Sequence, residues 1–142
     1  MKVLKLEKGN QEKVIQETLK VLKKGELVIY PTETCYGLGV DATNRTAVLR
    51  LLKYKGERGG KPISVAVGSV QMAHEYVEIN ATAENLYQKF LPGPLTVISK
   101  SKGKVVSLLE GPNFSLGIRL PDYPLILKIQ ENLTLFAGSI NP

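Results

Sequence analysis

Apolar residues recur every three to four positions in five segments of the chain, and this spacing predicts five helices. The first is the clearest, because Asn10 is a suitable N-cap and Gly25 is suited to the position that follows a helix. Pro92 is expected to end the fourth helix, and the fifth begins near Pro124. The five segments are 10–24, 45–53, 69–77, 82–91 and 123–132.

Short runs rich in β-branched residues lie between these segments and predict the strands of a sheet. Because strands alternate with helices, we expect a single α/β domain over residues 1–142. Some connections are too short for crossover helices, which favours a twisted mixed sheet of parallel and antiparallel strands flanked by helices. The strand segments are 3–6, 27–30, 37–42, 63–67, 95–100, 115–120 and 133–138.

The composition of the chain indicates which binding partners and which cellular compartment to expect. The formal net charge of +6 favours anionic partners such as nucleotides, phosphate or RNA. No apolar run approaches the roughly 20 residues required to cross a bilayer. One cysteine cannot form an internal disulfide, which fits a reducing compartment, and we expect a cytoplasmic protein.

Polar residues follow the second predicted strand in the stretch PTETCYGLG, residues 31–39. Thr32 and Thr34 can donate or accept hydrogen bonds, and the glycines let a ligand approach the backbone. A turn in which the threonines cap their own backbone is an equally good interpretation. Cys35 has no candidate base at a suggestive spacing, so we expect a packed or ligand-lining thiol rather than a nucleophile.

A basic loop follows the second predicted helix and carries Lys53, Lys55, Arg58 and Lys61 among three glycines. Arginine forks and mobile lysines can surround a polyphosphate. The loop has no GxxxxGK[ST] pattern, so it is not a P-loop. From charge alone, a solvated basic loop is the better interpretation.

Two further clusters lie at strand ends. In SLGIRLP, Ser115 and Arg119 are four residues apart and should face the same side of a strand. An arginine in an apolar strand needs a partner, either a carboxylate of the protein or one of a substrate. In AGSINP, Ser139 and Asn141 follow the last predicted strand. With one histidine and one cysteine, we expect no transition-metal site.

Taken in order, PTETCYGLGVDA, the basic loop before ISVAV, LPGPLTVI, SLGIRLPDYP and the ending S-x-N-P resemble the YrdC-like family, the threonylcarbamoyl-AMP synthases. The resemblance runs from about Leu19 to Pro142. It implies a YrdC-like fold, in which a twisted mixed sheet flanked by helices surrounds a basic concave cavity. It also implies a nucleotidyltransferase that joins L-threonine, bicarbonate and ATP, with Mg²⁺, into threonylcarbamoyl-AMP and pyrophosphate for the t6A modification of tRNA.

The same resemblance implies roles for individual residues, with no side chain acting as a nucleophile and none binding the metal. The implied threonine-binding residues are Thr32, Lys61 and Arg119. The implied nucleotide-binding residues are Lys53, Lys55, Arg58, Ser115, Ser139 and Asn141, of which Lys55 and Arg58 would position the ATP phosphates.

The chain departs from the family pattern at two places. Glu57 stands where most members have an arginine when the chains are aligned without a gap on Lys61. Either Arg58 reaches the same phosphate through a loop adjustment, or phosphate binding is weakened. Family members usually continue beyond S-x-N-P, so we expect a C-terminally short member. The alternatives are a non-catalytic or weakly active module that binds tRNA or double-stranded RNA, or a regulatory protein or subunit that binds other proteins of the t6A pathway.

Overall fold

The fold is given by a computed structural model that describes residues 1–56 and 61–131, and the backbone of residues 136–137. The helices are α1 (Gln11–Lys23), α2 (Arg45–Lys55), α3 (Val70–Tyr76), α4 (Ala81–Phe90) and α5 (Pro124–Gln130). The strands are β1 (Val28–Tyr30), β2 (Gly37–Asp41), β3 (Val65–Ala66), β4 (Val77–Glu78), β5 (Thr96–Ser101), β6 (Ser115–Arg119) and β7 (Phe136–Ala137). Two 3₁₀ turns, Ser107–Leu109 and Pro112–Phe114, connect β5 with β6.

These strands form one sheet in the order β1-β2-β7-β3-β6-β5-β4. Within the described residues, β3 and β6 are parallel, whereas the other neighbouring strands are antiparallel. The long connection from β3 to β6 contains α3, β4, α4 and β5, which is enough chain for a parallel return. The predicted mixed sheet is therefore confirmed.

The main core lies between one face of the sheet and helices α2, α3 and α4. On this face Val40, Val65, Leu116 and Ile118 are fully buried. A smaller cluster on the opposite face packs α1 and α5 over β1 and β3, and its members are Ile15, Leu19, Leu22, Tyr30, Ala66, Ile126 and Ile129. Helices therefore flank both faces, as the sequence predicts.

On the face that carries α1 and α5, none of the described helices covers β5 and β6. Thr96, Ile98 and Lys100 of β5 are exposed there, and the Ile98 side chain keeps 71% of its surface in water. They pair with Arg119, Gly117 and Ser115 of β6, which are half-buried. We call these six residues the open face.

All five predicted helices are present, but two details differ from the sequence prediction. Asn10 precedes α1, yet its side chain does not cap the helix. It accepts a hydrogen bond from the Glu7 N–H at 2.9 Å and donates one to the Lys5 carbonyl at 2.8 Å. The third helix ends at Tyr76, because Val77 has extended backbone and begins β4.

The predicted strand over residues 3–6 is wrong, since those residues have no regular structure. Val3 is 78% exposed, and no described strand pairs with the segment. A strand requires a neighbour for its backbone hydrogen bonds, so alternating apolar residues alone did not suffice. Among the described helices, none combines the length and the apolar character that a membrane span requires.

Candidate functional site

The segment between β1 and β2, residues 31–36, is a compact turn that we call the PTET loop. The Thr32 hydroxyl donates to the Cys35 carbonyl at 2.6 Å. The same oxygen accepts from the backbone N–H groups of Thr34 and Cys35, each at 3.3 Å. The capped-turn interpretation is thus correct for Thr32, because its hydroxyl is used within the loop.

The other side of the PTET loop is attached to the end of β6. The Arg119 Nη2 atom donates to Glu33 Oε1 at 2.7 Å and to Thr34 Oγ1 at 2.9 Å. The Arg119 and Glu33 side chains are only 21% and 20% exposed, so this ion pair is shielded from much of the solvent. Of the two partners that the sequence allows for Arg119, the structure shows a carboxylate of the protein.

The guanidinium of Arg119 is not fully satisfied by these contacts. Its Nε atom is buried and has no hydrogen-bond partner among the described residues. A buried donor without a partner is costly, so such atoms are rare in native proteins. Unused donor capacity at a partly buried cation is what a site for an anionic group requires.

Tyr30, the last residue of β1, packs next to this arginine. Its side chain is buried, and that burial raises the pKa of the phenol well above its usual value, although the positive charge of Arg119 opposes the shift. Tyr30 lies opposite Gly37 in the antiparallel pair of β1 and β2. A Cβ atom at Gly37 would lie 2.5 Å from Cζ of the Tyr30 ring, so only glycine fits there.

We therefore expect the substitution Gly37→Ala to destabilise the protein by about 1–3 kcal/mol, because the Tyr30 ring would have to move within a packed core. Urea unfolding measures the effect. In a Tyr30→Ala background the same glycine substitution should cost little, since the clash is then absent. An equal cost in both backgrounds would show that the ring contact is not the cause.

As predicted, Ser115 and Arg119 lie on the same face of strand β6, and the apolar side chains lie on the other. Leu116 and Ile118 point into the core, whereas Ser115 and Arg119 share the open face. Four strand residues span about 13 Å, so Ser115 and Arg119 lie at opposite ends of the strand. Between them, a Cβ atom at Gly117 would lie 3.0 Å from Cγ2 of Thr96. Because glycine has no side chain, nothing projects from the middle of β6 on the open face.

The predicted basic residues are only partly described. Lys53 and Lys55 are in the last turn of α2, and Lys61 is exposed before β3. Arg58 and Glu57 lie outside the described residues, as do Ser139 and Asn141. Their roles and the basic concave cavity stay predictions.

Sequence reasoning missed two features of this region. It gave no role to Glu33, although an arginine in an apolar strand signalled that a carboxylate partner was needed. It also missed an open cleft of about 610 Å³ beside Ser115, which reaches from Ile98 and Lys100 to the start of α4. The cleft does not include Arg119.

The described residues contain no group of three or more histidine, cysteine or acidic side chains that could hold a metal ion. His74 is half exposed, and its Nε2 atom is 3.4 Å from a carboxylate oxygen of Glu84. His74 therefore lies at the surface, next to a carboxylate of α4.

Comparison with known proteins matches most of the chain to one family. The Sua5/YciO/YrdC family model, described as "Telomere recombination", matches residues 20–142. A Vibrio vulnificus protein named threonylcarbamoyl-AMP synthase is 32% identical over 118 residues, which are 81% of this chain and 63% of that protein. The chain thus spans less than two thirds of the length of this curated relative.

Solved structures agree with the sequence match. Sua5 of Pyrococcus abyssi in complex with L-threonine is 30% identical, with a TM-score of 0.83, over 95% of this chain and 39% of that one. A variant of the same protein reaches a TM-score of 0.89 at 28% identity, over 97% and 41% of the two chains. Full-length HypF in its phosphate- and nucleotide-bound form has a TM-score of 0.76 at 26% identity, over 88% of this chain and 20% of that one.

Proposed function

This chain belongs to the Sua5/YciO/YrdC family, and on that premise we propose that it is a threonylcarbamoyl-AMP synthase. The observation that carries the proposal is the partly buried Arg119 at one end of the open face, with Ser115 at the other end of the same strand. The relative whose solved structure contains L-threonine supports an amino-acid ligand for this fold.

At the Arg119 end, we propose that the site binds L-threonine. The guanidinium offers a planar set of donors that matches a carboxylate. The hydroxyls of Thr32 and Thr34 would lie beside the ligand, and Lys61 would add a positive charge near its carboxylate. Threonine would therefore be positioned by polar groups that strand β6 and the PTET loop hold in place.

At the Ser115 end, we propose that the site binds ATP. The Ser115 hydroxyl would contact the nucleotide, and Lys53, Lys55 and Arg58 would contact its phosphates. Ser139 and Asn141 would complete this side. A nucleotide-bound relative of the same fold supports the proposal, and ATP would enter as its Mg²⁺ complex, with the metal held by the phosphates.

The chemistry requires little more than positioning. The amino group of threonine and bicarbonate form a carbamate with loss of water. A carbamate oxygen then attacks the α-phosphorus of ATP, and pyrophosphate leaves with the electron pair of the broken P–O bond. Cations at the phosphates would stabilise the charge that develops on pyrophosphate, so no nucleophilic side chain is needed.

The product would serve the t6A modification of tRNA in the cytoplasm, where other proteins of that pathway would be partners. The alternative of a module that binds tRNA or double-stranded RNA is not favoured, because the curated relatives are named as synthases. We therefore propose the enzymatic function alone.

The test is pyrophosphate release by the 142-residue chain in the presence of ATP, Mg²⁺ and bicarbonate. We expect release that depends on L-threonine and is absent when threonine is omitted. Calorimetry with ATP alone is the companion measurement. No threonine-dependent release, together with no ATP binding, would contradict the proposal for this chain.

A further inference from the structure

The contact between Glu33 and Arg119 has the chemistry of substrate binding, because a carboxylate meets a guanidinium at 2.7 Å. We propose that Glu33 occupies the carboxylate site of Arg119 in the ligand-free protein and that a substrate carboxylate binds by displacing it. This inference rests on the proposed function for the identity of the substrate, but the displacement itself concerns any carboxylate ligand.

The geometry of arginine limits how a carboxylate can bind Arg119. A guanidinium presents two edges to a carboxylate, one formed by Nε with Nη2 and the other by Nη1 with Nη2. Both edges include Nη2. That nitrogen carries two hydrogens, and in this structure Arg119 donates them to Glu33 and Thr34. A ligand that binds either edge with both oxygens must therefore remove one of these partners.

Charge determines which of the two partners leaves. A ligand carboxylate beside Glu33 would place two negative charges against one guanidinium, and like charges at such a distance repel strongly in a partly buried site. Thr34 is neutral, and its hydroxyl can turn to donate to the incoming carboxylate. Displacement of Glu33 is thus favoured over displacement of Thr34.

Glu33 can leave Arg119 without unfolding the PTET loop. The hydrogen bonds that form the turn join Thr32 to the backbone of Thr34 and Cys35. None of them uses the Glu33 carboxylate. Rotation of the Glu33 side chain into water would free Nη2 of Arg119 while the turn stays intact.

A consequence is a lower affinity for every carboxylate ligand, without a change in their relative affinities. Every carboxylate ligand would have to break the Glu33 contact before it binds Arg119, so the affinity for all of them is reduced by the same factor. Ligands that also contact the threonine hydroxyls or the open face would still bind. Simple anions that offer nothing beyond a carboxylate would remain the weakest ligands.

The test is isothermal titration calorimetry of L-threonine and of 3-hydroxybutanoate, a hydroxy acid without the amino group, with wild type and Glu33→Gln. The substitution keeps the shape of the side chain and removes its charge. We expect Glu33→Gln to bind both ligands about tenfold more tightly. Glu7→Gln is the matched control, because Glu7 pairs with Lys5 at 3.0 Å and is 57% exposed, and its affinities should equal those of wild type.

The outcomes separate this proposal from the proposed function. Tighter binding of 3-hydroxybutanoate by Glu33→Gln, with no threonine binding by either protein, would support displacement and contradict the synthase. Unchanged or weaker binding of both ligands by Glu33→Gln would overturn displacement, whatever the enzyme assay shows. If Glu33→Gln does not fold, Glu33→Asp replaces it. The shorter side chain draws back from Nη2 of Arg119, so both ligands should bind more tightly than to wild type, with a smaller gain in affinity than for Glu33→Gln. No gain in affinity would overturn the proposal.

Discussion

Replacing Arg119 by alanine is expected to weaken L-threonine binding about 100-fold while changing ATP binding less than about twofold. A hydrogen bond to a charged group contributes about 1.5–3 kcal/mol, so a bidentate pair would contribute about 3–6 kcal/mol. Breaking the Glu33 contact offsets part of this gain, and a net loss of about 2.8 kcal/mol corresponds to 100-fold. ATP is proposed to bind about 13 Å away at the Ser115 end of the strand, where the substitution removes no contact. Calorimetry with each ligand measures both affinities.

Arg119→Lys is the control that separates charge from geometry. Lysine keeps the positive charge but lacks the planar pair of donors, so threonine affinity should lie between those of wild type and Arg119→Ala. Thermal unfolding of all three proteins shows whether the fold survives. Equal losses for threonine and ATP, together with a large drop in the melting temperature, would assign Arg119 a structural role through Glu33 instead.

The second large effect concerns the core-facing side of strand β6. Leu116→Ala is expected to lower the free energy of unfolding by about 2–5 kcal/mol, because Leu116 is fully buried between the sheet and its helices and alanine would leave a cavity. Denaturation in urea measures the change. For a domain of ordinary stability this loss is a large part of the total free energy of unfolding.

Ser115→Ala is the neighbouring control. Ser115 is half-buried on the open face, so its hydroxyl should matter little for folding, and the stability change should stay within about 0.5 kcal/mol. Its proposed contact with the nucleotide predicts an ATP affinity that falls by less than about tenfold. If Ser115→Ala destabilised the protein as much as Leu116→Ala, the division of β6 into a core face and a ligand face would be wrong.

Local patterns in the sequence were sufficient for the helices and for most of the strands. Helical spacing of apolar residues and the placement of Gly25 predicted α1, because the hydrogen bonds of a helix join residues four apart and its apolar face is visible in the local sequence. Strand β4 was missed, since its two residues are extended only because Val77 and Glu78 pair with β5 more than 20 residues away. The same dependence on a distant partner explains the wrong strand at residues 3–6.

The candidate site was predictable in its parts but not in its contacts. Alternation along β6 placed Ser115 and Arg119 on one face, which follows from strand geometry alone. The partner of Arg119 lies 86 positions away in the chain, and no local pattern could distinguish Glu33 from a substrate carboxylate. The tight approach of Tyr30 to Gly37 also depends on the pairing of two strands, which the sequence does not display.

The position of β7 has a consequence for how the protein is made on the ribosome. Residues 136–137 lie between β2 and β3, and they pair with both. The facing edges of β2 and β3, which are synthesised earlier, therefore lack this strand partner until the segment leaves the exit tunnel. Nascent chains released before that point would present two unpaired strand edges, which are templates for association with other chains.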